Sequence, residues 1–178
     1  MARALARAFY YAGAEVKLLA SFETNNESFE GLKFSSSSEL LELCKSECKD
    51  ANLLVMCAAV SDFVPTKVDG KIKREDVSEV LNLSLNKNID ILQSLSKFSC
   101  KKIGFKLEIS SDSALKSARS MLDKKALDAV CLNILGEKNG FASEQNEINF
   151  ITKGGEIFLP LTSKDEIAGR IVELAANL

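Results

Sequence analysis

The residues of clearest chemical potential lie between Leu53 and Arg74. An apolar run, Leu53-Leu54-Val55-Met56-Cys57-Ala58-Ala59-Val60, breaks into Ser61-Asp62-Phe63-Val64-Pro65 and then Lys71-Ile72-Lys73-Arg74. Eight apolar residues bounded by turn signals predict a buried strand, and open parallel sheets bind ligands just beyond the carboxyl ends of such strands. Small Ala58 and Ala59 would admit a ligand closely, and Asp62 and the lysines would supply charge around it. Taken singly, Asp62 also fits a loop-capping carboxylate and the basic cluster a solvated face. Their nearness to a strand end points instead to a phosphate-binding lid over Val64 to Arg74. Glu108 and Asn133, each late in a predicted strand, are weaker candidates of the same positional kind.

The chain contains no histidine. That removes Ser-His-Asp and Cys-His catalysis, histidine metal cages and any imidazole base, leaving proton transfer to carboxylates, lysines, substrate groups or water. Five irregularly spaced cysteines, Cys44, Cys48, Cys57, Cys100 and Cys131, read as reduced thiols of a cytoplasmic protein. Cys44 and Cys48 share a helix face but lack a third ligand, so no metal site is expected. A net charge of −2 lacks the footprint of a nucleic-acid binder. The apolar runs are too short to span a membrane, and the amino-terminal segment has no secretory apolar core. Neither G-x-G-x-x-G nor G-x-x-x-x-G-K-[ST] occurs, which argues against the standard phosphate cradles.

These residues require an α/β scaffold. Ala2, Leu5, Ala6, Phe9 and Ala12 recur at helical spacing up to Gly13, and a strand follows over 15–20. Leu32 to Phe34 fits a short strand, and Ser36-Ser37-Ser38-Glu39 is a capping box opening a helix. Leu81 to Leu85 alternates as a half-buried strand, with Asn88 as the cap of the next helix. A strand over 102–107, a helix over 111–126 and a strand over 128–133 complete a β-α-β-α-β series. Lys153-Gly154-Gly155 turns a hairpin, and Ser163 with Glu166 caps a last helix. The expected fold is a single Rossmann-like α/β domain over residues 1–178. Its sheet is mostly parallel, with helices on both faces and a C-terminal antiparallel hairpin.

Read in order, several segments resemble the phosphopantothenate–cysteine ligase family, the synthetase part of bifunctional coenzyme A biosynthesis flavoproteins. They are A-A-V-S-D-F-V-P at 58–65, K-I-K-R at 71–74, L-N-L-S-L-N-K-N-I-D-I-L at 81–92, I-G-F-K-L-E at 103–108 and K-K-A-L-D-A-V-C-L-N at 124–133, followed by the terminal hairpin and helix. The resemblance implies a homodimer that activates the carboxylate of 4′-phosphopantothenate with CTP, carried as its Mg²⁺ complex. Pyrophosphate leaves, an acyl-cytidylate forms, and the amine of cysteine displaces CMP. By position in the motifs, Met56, Cys57, Ala58, Asp62, Ile89, Asp90, Ile91, Leu92, Phe105 and Lys125 would contact the nucleotide. Ala59 would face the pantothenate, and Lys71 would be catalytic, stabilising charge at the α-phosphate.

Two departures from the family pattern stand out. Met121 occupies the place of a further nucleotide-binding lysine, with Lys124 its possible substitute. The family's first strand, glycine-rich turn and S-S-G-K-M segment would precede Met1. The flavin-dependent decarboxylase half of the full-length protein lies outside the chain, so no FMN is expected in it. A non-catalytic nucleotide-binding or dimerisation module and a nicotinamide-dependent oxidoreductase are the rival readings; the missing glycine fingerprint weighs against the second.

Overall fold

In the computed structural model, which describes residues 1–67, 69–74, 79–109, 112–136 and 143–178, the first helix α1 (Ala2–Tyr11) buries Leu5 and Ala6 on one stripe. It stops before Gly13, whose φ of +89° is cheap only for glycine, and the Gly13 amide donates to the Tyr10 carbonyl. Strand β1 (Lys17–Ala20) pairs in parallel with β2 (Glu30–Lys33). The capping box forms as expected: Ser36 Oγ accepts from the Glu39 amide at 3.2 Å and opens α2 (Ser37–Glu47). Then come β3 (Leu53–Met56), β4 (Phe63–Pro65), β5 (Leu85–Lys87), α3 (Ile91–Ser94), β6 (Lys101–Glu108), α4 (Ala114–Lys124) and β7 (Ala129–Ile134). The hairpin strands are β8 (Gln145–Thr152) and β9 (Gly155–Ser163), and α5 (Lys164–Ala175) follows with Ser163 Oγ accepting from the Glu166 amide.

The main sheet runs β3-β6-β7-β8-β9. Strands β3, β6 and β7 are parallel, while β8 and β9 add antiparallel. Successive residues of β7 point to opposite faces, and Ala129, Val130, Cys131 and Leu132 are all fully buried. Both faces must therefore be covered. Helices α1 and α5 pack over Ile103, Cys131, Ile148 and Phe150, whereas α2, α3 and α4 pack over Met56, Val130, Leu132 and Ile151. This is the Rossmann-like arrangement expected.

Four local expectations need correction. The apolar run at 53–60 forms a strand only to Met56, because β6 offers ladder partners to Leu53–Met56 alone, and Ala58 and Ala59 are exposed. The other edge of β3 faces a cavity of about 420 Å³ shared with β1, which leaves Leu53, Leu54 and Val55 half-buried. The strand expected from Leu81 starts at Leu85. The cap of α3 is Asp90, not Asn88: the Asp90 carboxylate accepts from the Gln93 amide at 3.0 Å. The helix expected from Ser111 begins at Ala114; Ser111 itself and Val68 of the proposed lid lie outside the described residues. No helix among the described residues is long and apolar enough to cross a membrane.

Candidate active site

The parallel strands β3 and β6 end at a cleft of about 1010 Å³, at the upper end of the range typical of small-molecule sites. Met56, Cys57, Ala58, Ala59 and Asp62 form one wall, Ile89 to Leu92 the second, and Phe105 and Lys125 close it. Lys71 is not among the lining residues; its side chain is exposed between β4 and β5. Asn133 reaches the cleft and Glu108 does not. Glu108 instead pairs with Lys106 at 3.0 Å, and that contact holds its carboxyl below the usual carboxylate range.

Lys125 gains its place from the end of α4. Its Nζ lies 2.9 Å from Asp90 Oδ2, joining the last turn of α4 to the first of α3. The same carboxylate caps α3 through Oδ1, so Asp90 is oriented from two sides. Met121, one turn earlier, also lines the cleft, while Lys124 is exposed outside it and does not take that position. Gly104 allows this close assembly: a Cβ there would come within 2.8 Å of both Leu127 and Met121.

Asn88 is the positioning residue that sequence reasoning misassigned. Its Nδ2 donates to the Ser61 carbonyl at 2.8 Å, and its Oδ1 accepts from the Ile89 amide at 2.9 Å and from Ser37 Oγ at 3.1 Å. Its backbone amide donates to the Asp62 carbonyl at 2.8 Å. One side chain thus ties the Ser61-Asp62 wall to the Ile89 wall. Cys57 contributes differently. Burial pushes its thiol up to about 12, so it lines the cleft as a neutral group and not as a thiolate nucleophile.

Asn146, Gln145 and Lys164 at the start of β8 and of α5 also line the cleft, and sequence reasoning passed over them. Asn146 shares strand parity with Ile148 and Phe150, both buried, which was a signal that its side chain faces inward.

A crossover-connected parallel sheet covered on both faces, with a polar cleft at its carboxyl ends, defines a Rossmann-like ligand-binding domain. Residues 1–178 match the model of the DNA/pantothenate metabolism flavoprotein C-terminal domain, and the chain belongs to that family. It is 31% identical over 186 residues to the coenzyme A biosynthesis bifunctional protein CoaBC of Vibrio vulnificus (strain YJ016), covering 100% of this chain and 46% of that protein. The chain therefore spans about half the length of the curated relatives it matches. The DNA/pantothenate metabolism flavoprotein of Streptococcus pneumoniae superposes with a TM-score of 0.78 at 23% identity, over 98% of this chain and 84% of the other. A Cab2 variant in complex with phosphopantothenate-cysteine gives a TM-score of 0.65 at 22% identity, over 88% of this chain and 55% of the other. At these identities the two structures speak for the fold.

Proposed function

We propose that this domain is a phosphopantothenate–cysteine ligase of coenzyme A biosynthesis, driven by CTP through an acyl-cytidylate. The observation that carries the reading is the Asp90–Lys125 pair beside Phe105, at a strand-end cleft large enough for a nucleotide and an acid together, in a member of this family. A carboxylate oxygen of 4′-phosphopantothenate attacks the α-phosphorus of CTP and pyrophosphate leaves. The cysteine amine then attacks the acyl carbonyl, CMP leaves with the bonding electron pair, and the amine loses its proton. Neither step requires a histidine, since positioned cations and hydrogen bonds stabilise both transition states.

In this assignment Met56 to Ala58, Asp62, Ile89 to Leu92, Phe105 and Lys125 hold the nucleotide and Ala59 faces the acid. Lys71 stabilises charge at the α-phosphate. Among the described residues no group of three or more His, Cys, Asp or Glu side chains is placed to hold a metal ion. Mg²⁺ is proposed as the ion that CTP brings on its phosphates. A homodimer belongs to the same proposal, supported by the ribbon of β4 and β5, where Phe63 and Leu85, with Leu83 just before β5, expose apolar surface. A decarboxylase domain would adjoin it in the full-length protein, and its place would be the cytoplasm.

The test is product analysis. Incubation with CTP and phosphopantothenate should yield pyrophosphate, and CMP release should require cysteine. CTP binding without either product would instead identify a nucleotide-binding module.

A further inference from the structure

The cleft walls assigned to the nucleotide are poor in positive charge. Lys125 is already matched by Asp90 at 2.9 Å, and Asp62 adds another carboxylate, so these side chains together are net negative. A nucleoside triphosphate brings several negative charges of its own, and like charges in a half-buried site repel strongly. A further cation facing the same space would offset that excess.

Lys106 is placed to supply it. Side chains alternate along β6: Ile103 and Phe105 join the core under α1 and α5, whereas Gly104 faces Leu92, Met121 and Leu127 on the side of α3 and α4. Lys106 shares the parity of Gly104, and its ladder partner Leu132 is buried in the core under α2, α3 and α4. The lysine therefore projects toward the helices whose ends carry Asp90 and Lys125, and it lines the same cleft. Phe105, next to it, reaches the cleft from the opposite face of the strand end.

The resting partner of Lys106 is Glu108, two residues on along the same face. The ion pair measures 3.0 Å, and the Lys106 and Glu108 side chains are 25% and 27% exposed. Glu108 stays outside the cleft and also accepts a hydrogen bond from the Ser117 hydroxyl on α4. The carboxylate thus keeps a partner when the lysine leaves it. An ammonium carries three donors on a flexible stem, so rotation of the Lys106 side chain moves its charge from Glu108 to an anion in the cleft without orphaning the carboxylate.

We infer that Lys106 binds the phosphates of the nucleotide and that Glu108 is its placeholder, holding the ammonium at the cleft edge until the triphosphate accepts from it. The inference rests on the ligase reading above. It adds a cation on the side of the cleft where Lys125 is already committed to Asp90. The phosphate of the acid substrate is the competing source of the same chemistry.

Calorimetric titration of the full chain with a non-hydrolysable α,β-methylene CTP, and separately with 4′-phosphopantothenate, tests the exchange. Lys106→Gln should weaken binding of the CTP analogue about tenfold, the scale of one charge-assisted hydrogen bond, and leave phosphopantothenate binding unchanged. Lys106→Arg should retain most of the affinity, because the charge persists. Glu108→Gln removes the competitor and should tighten the analogue about threefold, the scale of a half-exposed ion pair. That variant leaves Lys106 intact, so it remains decisive where Lys106→Gln fails to fold. Unchanged analogue affinity in Lys106→Gln, an equal loss in Lys106→Arg, or unchanged or weaker binding in Glu108→Gln overturns the inference. Weakened phosphopantothenate binding with the analogue unaffected assigns Lys106 to the acid and overturns it equally. A wild type that fails to bind the analogue would instead defeat the ligase reading on which the inference depends.

Discussion

Lys125 Nζ stands 2.9 Å from Asp90 Oδ2, and the other oxygen of that carboxylate caps α3, so one acidic side chain orients both a cation and a helix start at the cleft. The Lys125 side chain is 27% exposed and that of Asp90 46%, which makes the pair a weak stabiliser, on the order of 1 kcal/mol or less. Its value lies in aim. Lys125→Gln should weaken CTP binding about tenfold by calorimetry while shifting the thermal midpoint little.

Asn88, by contrast, should matter to stability as well as to binding. Its side-chain bonds to Ser61, Ile89 and Ser37 disappear in Asn88→Ala, and two of the partners are backbone groups. A loss of about 1–3 kcal/mol is expected in urea unfolding followed by circular dichroism. CTP affinity should fall with it, because Asp62 and Ile89 lose their common tether.

Glu27 sets an acid limit on stability. Its carboxylate accepts from Arg7 Nε and Nη2, both at 2.9 Å, and lies 3.0 Å from Arg3 Nε, fastening the loop after β1 to α1. The Arg7 hydrogen bonds hold the Glu27 carboxyl below its ordinary value. Stabilisation from a depressed carboxylate is complete above the unfolded pKa of about 4.3 and is lost as pH falls through the lower folded value. Glu27→Gln should therefore melt below wild type at neutral pH, and the two melting curves should converge on acidification below about pH 4. A constant gap across that range would show that charge is not what Glu27 contributes.

Much of the site was legible because the apolar run ending at Met56 and the polar break at Ser61 mark a strand end, and a strand end in a parallel sheet is where ligands sit. The extent of β3 was not legible from the run itself, since it depends on where β6 stops offering ladder partners. Asn88 and Asp90 both suit a helix cap by type; only the three-dimensional path decides that Asp90 reaches the Gln93 amide while Asn88 reaches back to Ser61. The strand parity of Asn146 with Ile148 was readable.

Lys71 is exposed and outside the cleft walls, so its role is separable from folding. Lys71→Gln should leave the melting temperature unchanged and slow pyrophosphate release about 10²- to 10³-fold, the loss associated with one preorganised charge stabiliser. Wild-type release in that variant would remove Lys71 from the mechanism.

The most direct measurement of the central claim is the fate of oxygen from the substrate carboxylate. With 4′-phosphopantothenate labelled with ¹⁸O in its carboxylate, acyl-cytidylate chemistry transfers one labelled oxygen to phosphorus, and mass spectrometry after cysteine addition should find it in CMP. Label in inorganic phosphate beside CDP would mean activation at the γ-phosphate, and unlabelled CMP would mean that no acyl-cytidylate forms; either result contradicts the mechanism.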